Sequence, residues 1–299
     1  MVELTRRTAL VGLSAAALAP GAASAQAAVL LKTIAATGER IPAIGMGSWR
    51  TFDVGRDTAA RSARIEVLRT FFALGGALID SSPMYGSSQE VIGAAVKTLG
   101  KKPFAADKVW IEGRDAGLRQ IAETRRRWNA RLDLLQVHNL VDWETHLPEL
   151  FQMKAQGDIR YVGVTSYAGL RYDDIARIAE KEPIDFIQLT YNIADREAEA
   201  RLLPLALERG IAVIANRPFR EGVLIQTFGS WPLPPVAAEV GATTWPQFLL
   251  KFVISHPAVT AAIPATRSSG HMAENMASMG GGVPDAATRT AMAKAVGDL

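Results

Sequence analysis

Four side chains of this 299-residue chain stand out for their chemistry: Asp80, Tyr85, Lys108 and His138. Asp80 and Tyr85 lie in LIDSSPMYG (78–86), Lys108 in PFAADKVW (103–110) and His138 in DLLQVHNL (133–140). Each falls at or near the C-terminal end of a predicted strand. Helical stretches separate those strands, so the four meet only if the strands run parallel with their C-terminal ends together. A phenol beside an ammonium, with a carboxylate and an imidazole close by, is suited to giving or taking a proton at an oxygen. The expected chemistry is reduction of a carbonyl or oxidation of an alcohol.

The elements needed to bring them together follow from the hydrophobic pattern. From about residue 28 strands and helices alternate, which argues for a parallel sheet covered by helices. A short hairpin turning at Thr37-Gly38 comes first. Strands are then predicted over 42–47, 77–82, 104–110, 133–138, 159–166, 185–192, 211–219 and 260–265. Helices are predicted over 60–74, 88–99, 115–130, 144–156, 171–181, 196–209 and 244–255, with a short one from about 270 and a last one near 284–297. The first of these carries Ile65, Leu68, Phe71 and Phe72 at helical spacing, and Gly210 suits a helix C-cap. Residues 220–243 are rich in Gly and Pro and show no clear period, which suits an ordered functional loop. Eight strand–helix units define a (β/α)8 TIM barrel with an N-terminal β-hairpin, and such barrels place their active sites at the C-terminal strand ends. No linker splits residues 26–299, expected to form one domain.

Composition excludes several alternatives. The hydrophobic share is 48% and the charged share 21%, a globular balance. The net charge is only +3, and the longest like-charge run, Arg125-Arg126-Arg127, lies on a predicted helix as a solvated face, so no nucleic-acid partner is expected. The absence of cysteine removes disulfides, thiolate metal sites and a cysteine nucleophile. The four histidines lack metal-ligand spacing, so no metal is expected. Nothing suggests an obligate interface, so a monomer is expected.

The N-terminus has the form of an export signal. Thr5-Arg6-Arg7-Thr8 precedes an Ala-rich apolar stretch and the small-residue triplet Ala23-Ser24-Ala25. The arginine pair and the mild apolar segment resemble a twin-arginine signal over residues 1–25, cut after Ala25. That resemblance implies recognition by the twin-arginine export machinery and folded export to a bacterial periplasm.

With these pieces placed, the chain resembles the aldo-keto reductases from about Leu31 to the final helix. The matching stretches are IPAIGMGSW (41–49), GGALIDSSPMYGSSQEVIG (75–93), ADKVW (106–110), DLLQVHN (133–139), RYVGVTSY (160–167), FIQLTYN (186–192) and IPATRSSGHMAEN (263–275). Their order and spacing carry the likeness. The resemblance implies that Tyr85 gives its phenolic proton to a carbonyl oxygen as hydride arrives from a nicotinamide. Lys108 would stabilise the phenolate and lower the phenol's pKa from its ordinary value of about 10. Asp80 would hold Lys108 and face the nicotinamide ribose, and His138 would orient the substrate oxygen. A competing register puts Arg114 in the lysine's place; the strand residues Phe104 to Ala106 leading into Lys108 favour Lys108. Residue 107 is then an aspartate where a small hydroxyl residue is usual.

The resemblance also implies a cofactor site. Thr165, Ser166 and Gln188 would hold the nicotinamide carboxamide. Asn216 stands where a stacking aromatic ring is expected, so that platform is missing; Arg217 or Phe219 would compensate, with Arg217 near the pyrophosphate. Thr266 and Arg267 would contact the 2′-phosphate, His271 would lie near the adenine or phosphate, and Glu274 and Asn275 would meet the adenine. A helix N-terminus and a bidentate arginine both suit an anion, so NADP(H) is expected over NAD(H). Trp49, Trp110 and Trp143, with Tyr85 and contributions from Phe52 and Phe219, would line a pocket for a flat apolar or aromatic carbonyl substrate. Two other readings remain at this point: a dinucleotide-binding sensor or carrier with little turnover, and a barrel lyase or isomerase without nicotinamide.

Overall fold

The computed structural model describes residues 29–297; the predicted signal, residues 1–25, lies outside them. Two antiparallel strands, β1 (Leu31–Thr33) and β2 (Arg40–Pro42), form the hairpin. The turn closes with Gly38 N–H donating to the Ile34 carbonyl at 2.8 Å. Eight strands then follow in one sheet, each beside the next in chain order and parallel to it: β3 (Met46–Gly47), β4 (Leu78–Asp80), β5 (Phe104–Val109), β6 (Leu134–His138), β7 (Tyr161–Thr165), β8 (Phe186–Thr190), β9 (Ala212–Asn216) and β10 (Val259–Ala262). The parallel bridges Ile44↔Ala262 and Gly47↔Ala265 join the last strand to the first. The result is a (β/α)8 barrel.

Helices α1 (Thr58–Ala73), α2 (Ser88–Leu99), α3 (Arg114–Trp128), α4 (Trp143–Ala155), α5 (Tyr172–Lys181) and α6 (Leu202–Arg209) return the chain between strands β3 and β9. The predicted helix over 196–209 is in fact a 3₁₀ turn, Glu197–Ala200, followed by α6. Pro204 explains the break: it has no N–H to offer the Ala200 carbonyl, so it is tolerated only in the first turn of a new helix. The region without a clear period, 220–243, contains two short helices, α7 (Val223–Phe228) and α8 (Val236–Glu239). The apolar face of α7 docks on α9 (Trp245–Ile254), with the Phe228 and Trp245 rings stacked at 5.0 Å, while α8 packs against the last helix. α10 (Ser269–Ala277) and α11 (Ala286–Gly297) complete the outer layer.

Strand periodicity sorts the side chains into two cores. Along a strand, alternate residues face the barrel axis. The first interior position is apolar at Leu78, Phe104, Leu134, Tyr161 and Phe186, and Ile34 and Ile41 of the hairpin join that cluster. Tyr161 stacks on Phe104 at 5.6 Å and donates its hydroxyl to Glu39 Oε2 at 2.6 Å, so the hairpin plugs the N-terminal end. The second cluster fills the space between strands and helices and includes Ile79, Leu135, Val162, Ile187 and Val213. Interior positions further up the strands turn polar: Asp80, Lys108, Gln136, His138, Thr165 and Gln188 are all buried. The barrel is therefore apolar at its base and polar towards its C-terminal mouth.

The closing seam depends on Gly47, because a Cβ there would lie 2.8 Å from the Ile263 carbonyl oxygen. Gly47→Ala is expected to lower stability by about 1–3 kcal/mol, the usual cost of overpacking, as measured by urea denaturation.

Candidate active site

Lys108 lies two positions beyond Ala106 on the interior face of β5, and Ala106 sits opposite Asp80 in the ladder. Its ammonium turns back to donate to Asp80 Oδ2 at 2.6 Å and to the Ser81 carbonyl at 2.6 Å. The other carboxylate oxygen of Asp80 accepts from Gln188 Nε2 at 2.9 Å and Gln136 Nε2 at 3.2 Å. Lys108 is wholly buried and Asp80 is 2% exposed, so each charge is balanced where water cannot reach. Burial alone would lower the lysine's pKa; the Asp80 carboxylate, Tyr85 and Asp107 more than offset it and raise the pKa above its ordinary value. Arg114, the competing candidate, stands on the surface at the start of α3 and pairs with Glu149 at 2.6 Å.

Asp107 occupies the opposite face of β5. Its carboxylate is buried among the helices, accepting from Trp128 Nε1 at 2.6 Å, Gln89 Nε2 at 3.0 Å and the Lys108 N–H at 2.7 Å. Burial pushes its pKa up to about 6, against the opposing pull of Lys108 and these donors. Strand alternation thus keeps this carboxylate out of the barrel interior.

Tyr85 follows β4 in a tight loop. The Lys108 ammonium lies 5.4 Å from its ring centroid, and the His138 ring meets it edge-on at 5.8 Å. Burial outweighs the expected downward pull of Lys108 on the phenol's pKa; with Asp80 and Asp107 also pushing up, the net shift is upward, to about 12. The phenol is therefore held protonated at neutral pH. Its loop is clamped from β3's side of the barrel. Asp53 Oδ1 accepts from the Ser87 N–H at 2.9 Å and the Ser87 hydroxyl at 2.8 Å. Gly86 fits between them at φ +58°, where a Cβ would lie 2.4 Å from the Asp53 carboxylate.

His138 ends β6 and is 6% exposed. Its Nδ1 shares a 2.8 Å hydrogen bond with the Ser82 hydroxyl. Burial first, and the Lys108 charge second, hold its pKa well below the usual imidazole range, so the ring is neutral. The loop beyond it contains Asn139, Leu140 and Asp142 in the left-handed region, at φ 54°, 56° and 47°. Among the described residues, every other non-glycine residue with positive φ, Asn129 excepted, also lies in a segment leaving a strand's C-terminal end. Such conformations persist only where the surroundings enforce them.

The residues expected to meet a nicotinamide form a connected strip across β7–β9. Thr165 Oγ1 donates to Gln188 Oε1 at 3.3 Å, Asn216 Nδ2 donates to the Ser166 carbonyl at 2.9 Å, and Thr190 Oγ1 donates to Asn216 Oδ1 at 2.7 Å. The Ser166 hydroxyl donates to the Leu170 carbonyl at 2.6 Å. Asn216 thus offers hydrogen bonds in place of a ring. Arg217 lies 5.7 Å from the Tyr167 ring centroid and pairs with Glu221 at 2.7 Å, while Phe219 is partly buried against the core.

At the start of α10, Ser268 caps the helix by accepting from the His271 N–H, and Thr266 Oγ1 accepts from the Ser268 N–H at 3.1 Å. His271 is exposed, Glu274 half-buried and Asn275 buried. Arg267 is exposed and has no carboxylate partner among the described residues. Arg64 of α1 is close enough that the two guanidinium charges repel: burial first, and Arg267 second, lower the Arg64 pKa. An exposed arginine directly before a helix N-terminus suits a phosphate.

Trp49 and Trp110 flank the mouth at 38% and 40% exposure, and Trp110 lies 6.4 Å from the His138 ring centroid. Phe52 is wholly buried in the core. Trp143 begins α4 and lines a surface crevice with Asp174, Arg177, Ile178 and Lys181 of α5, apart from Tyr85 and His138. Sequence reasoning passed over Ser82, Gln136 and Asp53. Ser82 and Gln136 stood inside stretches already singled out, and Gln136 shares the interior parity of His138.

Comparisons with known proteins point to one family. Residues 43–230 match the model of the aldo/keto reductase family. The methylglyoxal reductase YeaE of Escherichia coli is 29% identical over 245 residues, 79% of this chain and 85% of that protein. Pyridoxine 4-dehydrogenase of Escherichia coli is 30% identical over 241 residues, 73% and 81% of the two chains. Among solved structures, an aldo/keto reductase of Klebsiella pneumoniae in complex with NADP and acetate superposes with a TM-score of 0.70 at 25% identity, covering 86% of this chain and 92% of that one. The chain belongs to the aldo/keto reductase family of oxidoreductases.

Removing the ammonium would strand the Asp80 carboxylate in the barrel. Lys108→Met is expected to cost about 3–5 kcal/mol of stability in urea denaturation, the range for breaking a buried pair.

Proposed function

We propose that this protein reduces aldehydes or ketones to alcohols, taking hydride from NADPH and a proton from Tyr85. The observation that carries the reading is the buried Asp80–Lys108 pair beside a protonated Tyr85, with His138 edge-on to the phenol ring. Bound NADPH would supply the hydride. The chain's own residues would hold the carbonyl oxygen and protonate it. A neutral His138 can donate one hydrogen bond to that oxygen, and the Tyr85 hydroxyl a second. As the proton leaves, the Lys108 charge stabilises the phenolate that remains. Lys108 can do this because Asp80 fixes it in place. Trp49 and Trp110 offer flat apolar surface at the mouth, which favours aromatic carbonyl compounds.

Several residues fit the cofactor. Gln188, Thr165 and Ser166 lie together at the strand ends, where amide and hydroxyl groups can exchange their internal hydrogen bonds for those of a carboxamide. Arg267, exposed and without a carboxylate partner among the described residues, offers positive charge for a 2′-phosphate, which supports a preference for NADPH. Two solved relatives are described as complexes with NADP or NADPH.

Tyr85→Phe is expected to lower kcat for an aromatic aldehyde by about 10²–10⁴-fold, the usual range for a lost general acid, while fluorescence titration shows NADPH still bound. Binding by both forms with no turnover by the unaltered protein would instead favour a carrier or sensor. The pH dependence has a definite sign. Since the phenol stays protonated up to about 12, the reductive rate is expected not to fall as pH passes the ordinary tyrosine value of about 10. Oxidation of the alcohol needs the phenolate, so its rate is expected to keep rising over the same interval. Arg267→Ala is expected to weaken NADPH binding by about 10–100-fold, the loss of one charge-assisted contact, and to leave NADH binding unchanged.

A further inference from the structure

We propose that Ser82 is a positioning residue that fixes His138 in the tautomer carrying its proton on Nε2, the nitrogen turned to the substrate oxygen. The proposal rests on the reductase reading for its use in catalysis, though not for the tautomer itself. Three observations carry it. First, the Ser82 hydroxyl lies 2.8 Å from His138 Nδ1, and both residues are buried. Second, the Ser82 oxygen already receives the Met84 N–H, in a long contact of 3.4 Å. His138 Nδ1 is the one acceptor within reach of the Ser82 proton among the described residues. Were Nδ1 protonated, it would donate to Ser82, and the buried hydroxyl would have no acceptor for its own proton. A buried polar hydrogen without a partner is rare and costly. Donation from Ser82 to Nδ1 satisfies both groups. Third, Nε2 has no protein hydrogen-bond partner among the described residues, and the ring stands between Tyr85 at 5.8 Å and Trp110 at 6.4 Å.

The consequence is directional. With Nδ1 as acceptor, the single imidazole proton sits on Nε2, where it can be donated to a carbonyl oxygen. In the opposite tautomer Nε2 would present a lone pair, which repels a carbonyl oxygen and can only accept from an alcohol. Ser82 thus biases the site towards binding the carbonyl form, in the same sense as the protonated Tyr85.

Nitrogen-15 NMR of the histidine-labelled protein, with His138 assigned by its loss in His138→Asn, reads the tautomer directly. The unaltered protein is expected to show a protonated Nε2 and an unprotonated Nδ1. Ser82→Ala should give a mixture of tautomers, and Ser82→Thr, which keeps a hydroxyl, should restore the original pattern. Steady-state kcat for an aromatic aldehyde should fall about tenfold in Ser82→Ala, the equivalent of one net hydrogen bond, with KM for NADPH unchanged. A protonated Nδ1 in the unaltered protein overturns the proposal, as does an unchanged tautomer in Ser82→Ala. The expected tautomers with no turnover by the unaltered protein would support the assignment to Ser82 and sink the reductase reading alone.

Discussion

An ammonium and a carboxylate cannot sit in the middle of a barrel unless each is almost fully satisfied, and the rest of this structure is arranged around that condition. Lys108 and Asp80 meet at 2.6 Å out of contact with water. Taking such charges out of water costs several kcal/mol for each ion, and their attraction offsets this only when the remaining hydrogen bonds are also made. Here they are made by Gln136, Gln188 and the Ser81 carbonyl. These groups come from β6, β8 and the turn after β4, and the pair itself from β4 and β5, so it forms only when those strands are held in register. The apolar plug below, from Phe104 to Phe186 with the hairpin beneath it, keeps water from the base of the pair.

That buried pair also determines how the groups above it behave. Its positive end faces Tyr85 and His138. Lys108 lowers the phenol's pKa and the imidazole's, but burial dominates in both. The outcome is a phenol that keeps its proton and an imidazole that stays neutral. A protonated phenol can donate to an incoming oxygen, and so can the neutral imidazole in the tautomer proposed above, which is the proposed basis for donation at this site. The loops that carry these groups are held rather than free. Asp53 pins the Tyr85 loop through Ser87, and the chain after His138 is forced through left-handed conformations that leave the imidazole at the mouth.

Much of this was legible in the sequence, for a physical reason. A parallel barrel puts its reactive groups at strand ends, so strand periodicity located Asp80, Lys108 and His138 and implied that they converge. The same periodicity separates Lys108 from Asp107: adjacent residues of one strand must face opposite sides. Less visible were contacts that depend on side-chain geometry between distant segments. Nothing in the spacing shows that the Ser82 hydroxyl reaches Nδ1 of His138, or that Asp53 reaches Ser87. Trp143 was expected at the pocket because it follows a strand end, yet its place at the start of α4 turns it towards α5. The balance at Tyr85 was also out of reach, since the sign of the shift depends on how burial compares with one nearby charge. In 220–243 the two helices are too short to show a period of their own; docking on α9 holds α7, and α11 packs against α8.

The central claim is that this site delivers hydride and proton to a carbonyl group. The most direct test is to incubate the purified protein with NADPH deuterated at the nicotinamide C4 and an aromatic aldehyde, then analyse the product by mass spectrometry. The account predicts an alcohol with one deuterium on the carbon that was the carbonyl carbon, formed in step with NADPH loss. Recovery of unlabelled aldehyde with the NADPH unconsumed, across a panel of aldehydes and ketones, would contradict it.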